Sequence, residues 1–314
     1  MSTTQPATRR IVLTLPELPA AAHELLRAHS LFFVRDQDLR SDRLLHFVRQ
    51  HDPHALYVRF GRIDAHVIAA APSLRVIARH GSGLDAIDLG AAAARGIRIS
   101  STPGANAVAV AEHALALLLA CAKQLTQLDA RMRVGHWDKP THQGIQLAGR
   151  TLGVVGLGAI GSRMARLGLG LGMRVLAATR SIPTEVPAGV DCLPLDALWG
   201  ACDAISLHCP LTEQTRRLVD AQTLALCRPG TILVNTARGG LIDDAALAAA
   251  LRSGRVGAAG LDSFTVEPPG AELPYAGLRN VVMTPHIGAA TREAFEAAAC
   301  RAAHQLLADL QAAA

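Results

Sequence analysis

Residues 151–179, TLGVVGLGAIGSRMARLGLGLGMRVLAAT, decide the fold of this chain. The first five residues form a short apolar run, which is typical of a strand that is buried on both faces of a parallel sheet. Gly156, Gly158 and Gly161 follow with the spacing G-x-G-x-x-G, and after a helical pattern residues 173–178 form a second apolar run. This order of strand, glycine turn, helix and strand predicts an α/β protein with a doubly wound parallel sheet.

The glycine turn lies in a context that indicates a dinucleotide-binding site. The first glycine permits a tight turn, the second lets the backbone approach a pyrophosphate, and the third lets the helix lie close to the strand. The amides at the start of the helix, at Ala159 and Ile160, would then face the phosphates. A βαβ turn without a ligand is the alternative, and the flanking strand and helix favour the dinucleotide.

The end of the second predicted strand indicates which dinucleotide is bound. An acidic residue about 20 residues after the glycines would bind the ribose 2′-hydroxyl of NAD. This chain has Thr179, Arg180 and Ser181 there, and no carboxylate. Because a guanidinium can pair with a 2′-phosphate and hydroxyls can donate to it, NADP is expected ahead of NAD. The alternative is an exposed arginine on a surface turn, with NAD held by other contacts.

Composition limits the class of protein. A chain of 314 residues, half of them hydrophobic, suits two α/β domains. The net charge of +5 is scattered without a Lys/Arg run, which argues against nucleic-acid binding and favours anionic small molecules. Six cysteines without C-x-x-C or zinc spacing indicate reduced thiols in a cytoplasmic protein, with no metal site. The most apolar segment, residues 107–122, is too short to span a bilayer, so a soluble protein is expected.

Strand and helix patterns on both sides of the glycine turn predict two parallel-sheet domains. Residues 1–103 with 288–314 are expected to form a flavodoxin-like substrate-binding domain. Residues 104–287 are expected to form the larger, Rossmann-type dinucleotide-binding domain. A long apolar helix at residues 107–125 predicts burial at a domain or subunit interface, and residues 131–144 predict an exposed arm or loop.

Polar residues follow two predicted strands of the first domain. Arg59 comes after the strand at 55–58, while Arg79, Ser82 and Gly83 come after the next predicted strand. Binding residues in parallel sheets lie beyond the carboxyl ends of the strands, and Ser and Gly amides in such a turn can hold a carboxylate. Turns that merely reverse the chain are an equal alternative at this point.

Three segments at strand ends of the dinucleotide domain carry acid–base and cationic groups, Arg238, Glu267 and His286. Hydride delivery to a carbonyl carbon leaves negative charge on its oxygen, which an imidazolium can protonate as a general acid. A neighbouring carboxylate favours the imidazolium, and a guanidinium can bind a substrate carboxylate. Each residue alone could be an ion-pair or turn residue, but the three together predict reduction of a 2-keto acid. The segments are NTARGG (235–240), LDSFTVEPP (261–269) and TPHIGAAT (284–291).

With these segments, the motifs VIARHGSGLDAIDLGAAAARGI, STPGANAVAVAEHALALLLA and LAGRTLGVVGLGAIG resemble the D-isomer-specific 2-hydroxyacid dehydrogenase family, above all its phosphoglycerate dehydrogenase cores. The resemblance runs from about residue 55 to residue 291. It implies that Arg238 binds the substrate carboxylate, that His286 is the acid/base, and that Glu267 is its partner.

The resemblance also implies roles for other residues. Asp262 would hold the nicotinamide carboxamide, the Ser82 and Gly83 amides would support the substrate carboxylate, and the helix at 107–125 with the arm around Trp137 would build a homodimer. Further cofactor contacts are expected at the strand ends, at His208, Cys209, Pro210, Ala237 and Gly288.

Two features distinguish this chain within the resemblance. Thr179 and Arg180 replace the usual Asp, which is similar to NADP-using glyoxylate and hydroxypyruvate reductases, and the chain stops at residue 314, so no feedback by serine is expected. The exact substrate stays open, including 3-phosphoglycerate, because Arg59 and Arg79 could receive a distal phosphate or carboxylate or could be solvated. Formate oxidation is less expected because Glu267 stands where formate-oxidising relatives carry Gln. A non-catalytic dinucleotide-sensing protein is the alternative from another class.

Overall fold

The computed structural model describes residues 8–34, 41–181, 184–270 and 273–313, apart from the side chain of Ser41. The chain folds into two compact units. The first unit comprises Met1–Asn106 and Thr291–Ala314, and the second comprises Ala107–Ala290. These bounds lie a few residues later than those that the sequence predicts.

The first unit contains a five-stranded parallel sheet with the strand order β2-β1-β3-β4-β5. This is the flavodoxin-like order, in which the chain reverses direction across the sheet between β1 and β3. Its strands are β1 (Arg10–Leu13), β2 (Ser30–Phe33), β3 (Ala55–Val58), β4 (Val76–Arg79) and β5 (Arg98–Ser100). Its helices are α1 (Ala20–Leu26), α2 (Ser41–His51), α3 (Ala65–Ala69), α4 (Leu89–Ala94) and the C-terminal α11 (Arg292–Ala312).

Both faces of this sheet are covered. Ile11 and Leu13 of β1 pack on one face with Leu306 of α11, while Val12 between them packs on the other face with Val67 of α3. The two-residue period of a strand explains this division, because successive side chains point to opposite faces. Burial on both faces is what the continuous apolar runs of the sequence predict.

The second unit contains a seven-stranded parallel sheet with the order β12-β11-β10-β9-β6-β7-β8. This is the doubly wound Rossmann order, with the switch of direction between β6 and β9. Its strands are β6 (Thr151–Val155), β7 (Arg174–Ala178), β8 (Val190–Cys192), β9 (Ala204–Leu207), β10 (Thr231–Asn235), β11 (Val256–Leu261) and β12 (Val281–Met283). Its helices are α5 (Ala107–Lys123), α6 (Leu125–Arg133), α7 (Ala159–Gly170), α8 (Leu195–Ala201), α9 (Ala221–Leu226) and α10 (Asp244–Ser253), with a 3₁₀ turn at Gly239–Leu241.

The predicted helix at 107–125 and the predicted arm at 131–144 are partly wrong in their bounds. Gln124 has a positive φ of 53° and breaks the helix, so that α5 ends at Lys123 and α6 follows at a bend of 62°. The first residues of the predicted arm therefore belong to α6. In the described part of the chain no single helix is long and apolar enough to cross a membrane, although the bent pair α5 and α6 meets both criteria together.

Candidate active site

Two of the three glycines after β6 are required for steric reasons, and the third borders open space. Gly156 has a φ of +97°, and a Cβ there would lie 2.9 Å from the backbone of His208 and Cys209. A Cβ on Gly161 would collide with the carbonyl oxygen of Gly156, whereas a Cβ on Gly158 would project into open space. The turn thus packs β6, α7 and the end of β9 closely and leaves room beside Gly158 for a ligand.

The N-terminus of α7 supplies hydrogen-bond donors to this space. The N–H groups of Gly158, Ala159 and Ile160 donate to no acceptor among the described residues. Free amides at the start of a 12-residue helix attract anions, because the helix dipole adds partial positive charge there. The donor set and the open space beside Gly158 fit the pyrophosphate of a dinucleotide.

The loop after β7 presents a cation and two hydroxyls. The Thr179 hydroxyl donates to the carbonyl of Ser181 at 3.0 Å. The Arg180 side chain is exposed and makes no hydrogen bond or ion pair within the described ranges. Its guanidinium is therefore accessible to a phosphate at the ribose end of a dinucleotide.

The loop after β9 lies against the glycine turn. The ring of His208 makes a 2.8 Å hydrogen bond to the Ser206 hydroxyl, and burial lowers the pKa of His208 to about 4. Burial also raises the pKa of the Cys209 thiol. Both side chains are therefore uncharged at neutral pH, and with the exposed Pro210 they give this side of the turn an uncharged surface.

Two buried hydroxyls at neighbouring strand ends have no partner in the described structure. Thr236 Oγ1 follows β10 and Ser263 Oγ follows β11. Between β10 and Arg238, the Ala237 amide donates to Asn235 Oδ1 at 3.0 Å. Unsatisfied buried polar groups are rare in folded proteins, so this edge of the sheet has unused capacity to bind a polar ligand.

His286 and Glu267 form a hydrogen-bonded pair. Nδ1 of His286 lies 2.7 Å from Oε2 of Glu267, and the other carboxylate oxygen accepts from the Phe264 amide at 2.9 Å. The two side chains are 45% and 37% exposed, so the pair is accessible to a substrate. The carboxylate fixes Nδ1, and Nε2 has no partner in the part of the chain that the structure describes. Nε2 is therefore the atom that can exchange a proton with a substrate.

The loop that carries His286 is held by a buried carboxylate. Asp262 is 1% exposed; its Oδ1 accepts from the Thr284 hydroxyl at 2.6 Å and the Ile287 amide at 2.9 Å. Its Oδ2 accepts from the Gly288 amide at 2.8 Å. The structure thus gives Asp262 and Gly288 a role in fixing the loop. Their contact with the nicotinamide, which the resemblance implies, stays a prediction.

Arg238 lies at the end of β10, on the same edge of the sheet as the His286 loop. Strands β10, β11 and β12 are neighbours and parallel, so their carboxyl ends are adjacent. The turn after Arg238 packs directly on the loop before Glu267, because a Cβ on Gly239 would collide with the backbone of Phe264 and Thr265. Arg238 is half-buried, and its guanidinium donates to the Ala237 carbonyl at 2.7 Å.

In the first unit, the turn after β4 offers free amides. Gly81 has a φ of +128° and is tied to Thr102 by two hydrogen bonds of 2.9 Å. Arg79 donates to the carbonyl of Gly83 at 3.1 Å and to that of Arg59, and so supports the backbone of the turn. The amides of Ser82 and Gly83 donate to no acceptor in the described ranges, which leaves them available to an oxyanion.

Arg59, at the end of β3, is a half-buried cation held by uncharged groups. Its Nη1 donates to Nε2 of His80 at 2.9 Å, and its guanidinium lies 4.4 Å from the centre of the Phe295 ring. Nδ1 of His80 in turn lies 2.8 Å from the Tyr57 hydroxyl. No carboxylate pairs with Arg59 among the described residues, so its charge is available to an anionic ligand.

Sequence reasoning misses the supporting residues of both units. Tyr57, His80, His113 and Thr284 hold groups of the predicted site, but each acts across a long sequence separation. Only the tertiary structure brings them to their partners. Polar side chains within or directly after apolar strands and helices are the one signal that the sequence offers.

The chain is similar to known dehydrogenases and reductases. The sequence profile described as the D-isomer specific 2-hydroxyacid dehydrogenase NAD-binding domain matches residues 115–288. The chain is 42% identical to the hydroxypyruvate reductase of Thermotoga maritima over 281 residues, which are 88% of this chain and 90% of that protein. A crystal structure of a glyoxylate reductase from Paecilomyes thermophila superposes with a TM-score of 0.85, at 30% identity and over 97% of this chain and 96% of that one.

A second relative is longer. The chain is 46% identical to the D-3-phosphoglycerate dehydrogenase of Mycobacterium leprae over 246 residues, which are 76% of this chain and 46% of that protein. It thus spans about half the length of that relative. The predicted fold, family and reaction class are confirmed. The chain belongs to the D-isomer specific 2-hydroxyacid dehydrogenases, a family of oxidoreductases that use a nicotinamide dinucleotide and act on CH–OH groups.

Proposed function

We propose that this protein reduces a small 2-keto acid to the D-2-hydroxy acid, with NADPH preferred over NADH. The observation that carries the proposal is the His286–Glu267 pair on the strand edge that also bears Arg238. A proton donor, its carboxylate partner and a cation for the substrate carboxylate are the groups that this reaction requires.

Arg238, His286 and Glu267 are proposed to have different roles in carbonyl reduction. Arg238 binds the carboxylate of the keto acid and orients its C2 carbonyl. The bound nicotinamide supplies the hydride that C2 receives. The His286 imidazolium gives the proton of its Nε2 to the carbonyl oxygen, so that a hydroxyl forms and the ring becomes neutral. Glu267 accepts from Nδ1 throughout, which keeps the ring in one orientation with Nε2 toward the substrate.

The dinucleotide is proposed to bind along the carboxyl edge of the second unit's sheet. The glycine turn and the start of α7 hold the pyrophosphate. Arg180, with Thr179 and Ser181, holds the 2′-phosphate of NADP, and the lack of a carboxylate there removes the repulsion that this phosphate would meet.

The substrate is proposed to be a hydroxypyruvate- or glyoxylate-like keto acid. The reductases named above support this, since each is similar over nearly its whole length. The free amides of Ser82 and Gly83 would bind a carboxylate oxygen. Oxidation of 3-phosphoglycerate is the second candidate, because Arg59 is a half-buried cation without a carboxylate partner among the described residues. A substrate with a second anionic group would use that charge.

A homodimer that uses α5, α6 and the arm around Trp137 is also proposed, in the cytoplasm. Large apolar side chains are exposed along this segment, and Arg131 holds the arm through a bidentate pair with Asp138. Apolar side chains on a surface favour burial in an interface. The exposed ones are Val108, Leu125, Met132, Val134 and Trp137. Light scattering of the wild type and of Trp137→Glu tests this, and a monomeric wild type refutes it.

A spectrophotometric assay of NADPH and NADH oxidation tests the proposed function. Glyoxylate, hydroxypyruvate, pyruvate and 2-oxoglutarate are the oxidants, and the reverse reaction is assayed with 3-phosphoglycerate. Turnover of at least one keto acid is expected, because the site holds a proton donor and a cation for the substrate carboxylate. Tight cofactor binding without any turnover would instead favour a dinucleotide sensor.

A further inference from the structure

His113 makes a polar contact with the loop that carries His286. It lies on α5, and its Nε2 is 2.9 Å from Thr284 Oγ1 and 3.3 Å from Asp262 Oδ1. The side chain is 19% exposed, and Asp262 is buried. Within the described residues, His113 is the one charged or titratable side chain that approaches this carboxylate as an ion-pair partner.

The direction of these hydrogen bonds follows from their chemistry. A carboxylate only accepts, so the Thr284 hydroxyl donates its hydrogen to Asp262 at 2.6 Å. That hydroxyl has no second hydrogen, so the contact with His113 requires the ring Nε2–H as the donor. The chain of bonds therefore runs from His113 to Thr284, from Thr284 to Asp262, and from the amides of Ile287 and Gly288 to the same carboxylate.

This network brackets His286 on both sides. Thr284 precedes it by two residues, and the two amides follow it directly. His286 itself has a φ of +53°, a conformation that non-glycine residues adopt only where the surroundings enforce it. In the structure, the hydrogen bonds to Asp262 hold the backbone of His286 in this conformation. The carboxylate in turn needs donors around it, because a buried charge with too few hydrogen bonds is costly.

We propose that His113 is a positioning residue for His286, and that it acts through Thr284 and Asp262. The inference rests on the proposed function, in which His286 exchanges a proton with the substrate. Helix α5 packs against α7, β10 and β11, so the donor that it supplies is fixed to the framework of the second unit. Without that donor, Thr284 and Asp262 are held less firmly. Because they position the loop of His286, the ring of His286 is then displaced. Small errors in the position of a reacting group have large effects on rate.

Two substitutions separate positioning from simple stability. His113→Leu removes the donor at similar volume, while the amide of His113→Gln can still donate to Thr284. For His113→Leu we expect kcat with the best keto acid to fall about tenfold or more, with the KM values for NADPH and keto acid changed less than about twofold. His113→Gln is expected to recover most of kcat. Thr284→Val is expected to resemble His113→Leu, and Glu112→Gln, at the exposed neighbour on α5, is the control without effect.

The outcomes distinguish this inference from the proposed function. An active wild type with unchanged kcat in both His113→Leu and Thr284→Val overturns the inference and leaves the function intact. A wild type that turns over no keto acid overturns the function. In that case the ring signals of His286 in ¹⁵N NMR spectra decide the inference alone. They are expected to move in His113→Leu and to return in His113→Gln, and unmoved signals in His113→Leu overturn it.

Discussion

The substitution His80→Asn is expected to remove a large part of the acid sensitivity of the fold. His80 is 7% exposed and is bonded at both nitrogens, to Arg59 and to Tyr57. Burial, followed by the charges of Arg59 and Arg79, lowers the pKa of His80 to about 3. In the unfolded chain the same ring has a pKa of about 6.5.

The difference in pKa translates into a pH-dependent stability. Below about pH 6.5 the unfolded chain binds a proton that the folded protein excludes, so acid favours unfolding. The contribution is complete above pH 6.5 and is lost progressively as the pH falls toward the folded value. Between about pH 6.5 and 5 the loss is 1.5 pH units at 1.36 kcal/mol each, or about 2 kcal/mol.

Urea denaturation followed by circular dichroism at about pH 7.5 and pH 5 measures this loss. The wild type is expected to lose about 2 kcal/mol more than His80→Asn between the two conditions. The two proteins are compared by the change in their free energy of unfolding between the two pH values. The absolute free energies are not compared, because the variant loses the Arg59 contact at both pH values. His66→Asn, at an exposed histidine of α3, is the control and should follow the wild type. Equal pH dependence in the wild type and His80→Asn would refute the neutral, buried state of His80.

Three further substitutions test the two ligand sites. Arg180→Ala should raise the KM for NADPH about tenfold or more in initial-rate assays, because a charge-assisted bond to the 2′-phosphate is lost, and equal effects on NADH would contradict this. Gly161→Ala places a methyl group on the carbonyl of Gly156 and should abolish NADPH binding in fluorescence titrations, whereas Gly170→Ala, with open space around it, should bind normally. Arg59→Ala should lower kcat/KM for a keto acid with a second anionic group about tenfold or more relative to glyoxylate, and a uniform loss would make Arg59 structural.

Much of the second unit follows from local sequence. Strand β6 begins and ends at the predicted residues 151–155, and β7 begins one residue after the start of the predicted run 173–178, because each is a short apolar run. The glycine turn is predictable because Gly161 is required by a steric contact within one βαβ unit, with the carbonyl of Gly156.

The helices and strands that the sequence does not predict are short or lack a hydrophobic period. Strands β5 and β8 have three residues each, and α4 (LGAAAA) is an alanine-rich helix without an apolar stripe. Helix α6 (LTQLDARMR) is hidden in the sequence because it is mostly polar and follows the apolar α5 after a break at Gln124. Local patterns do not register such a break unless glycine or proline marks it.

The supporting shell of the site could not be predicted from local patterns. His80 meets Arg59 and Tyr57 through strand pairing in the first unit, and His113 meets Thr284 across 171 positions. Asp262 is the clearest case, because its place after β11 is evident in the sequence while its bonds to the His286 loop depend on the register of β11 and β12.

Transfer of deuterium from NADPH labelled at both C4 positions of the nicotinamide follows the proposed hydride step itself. With wild-type protein and a keto acid that it reduces, such as hydroxypyruvate, we expect deuterium at C2 of a product that is the D enantiomer. His286→Ala should slow the transfer about a hundredfold or more, because the carbonyl oxygen loses its proton donor. An L product, a product without the label, or transfer at the wild-type rate in His286→Ala would refute hydride reduction with His286 as the proton donor.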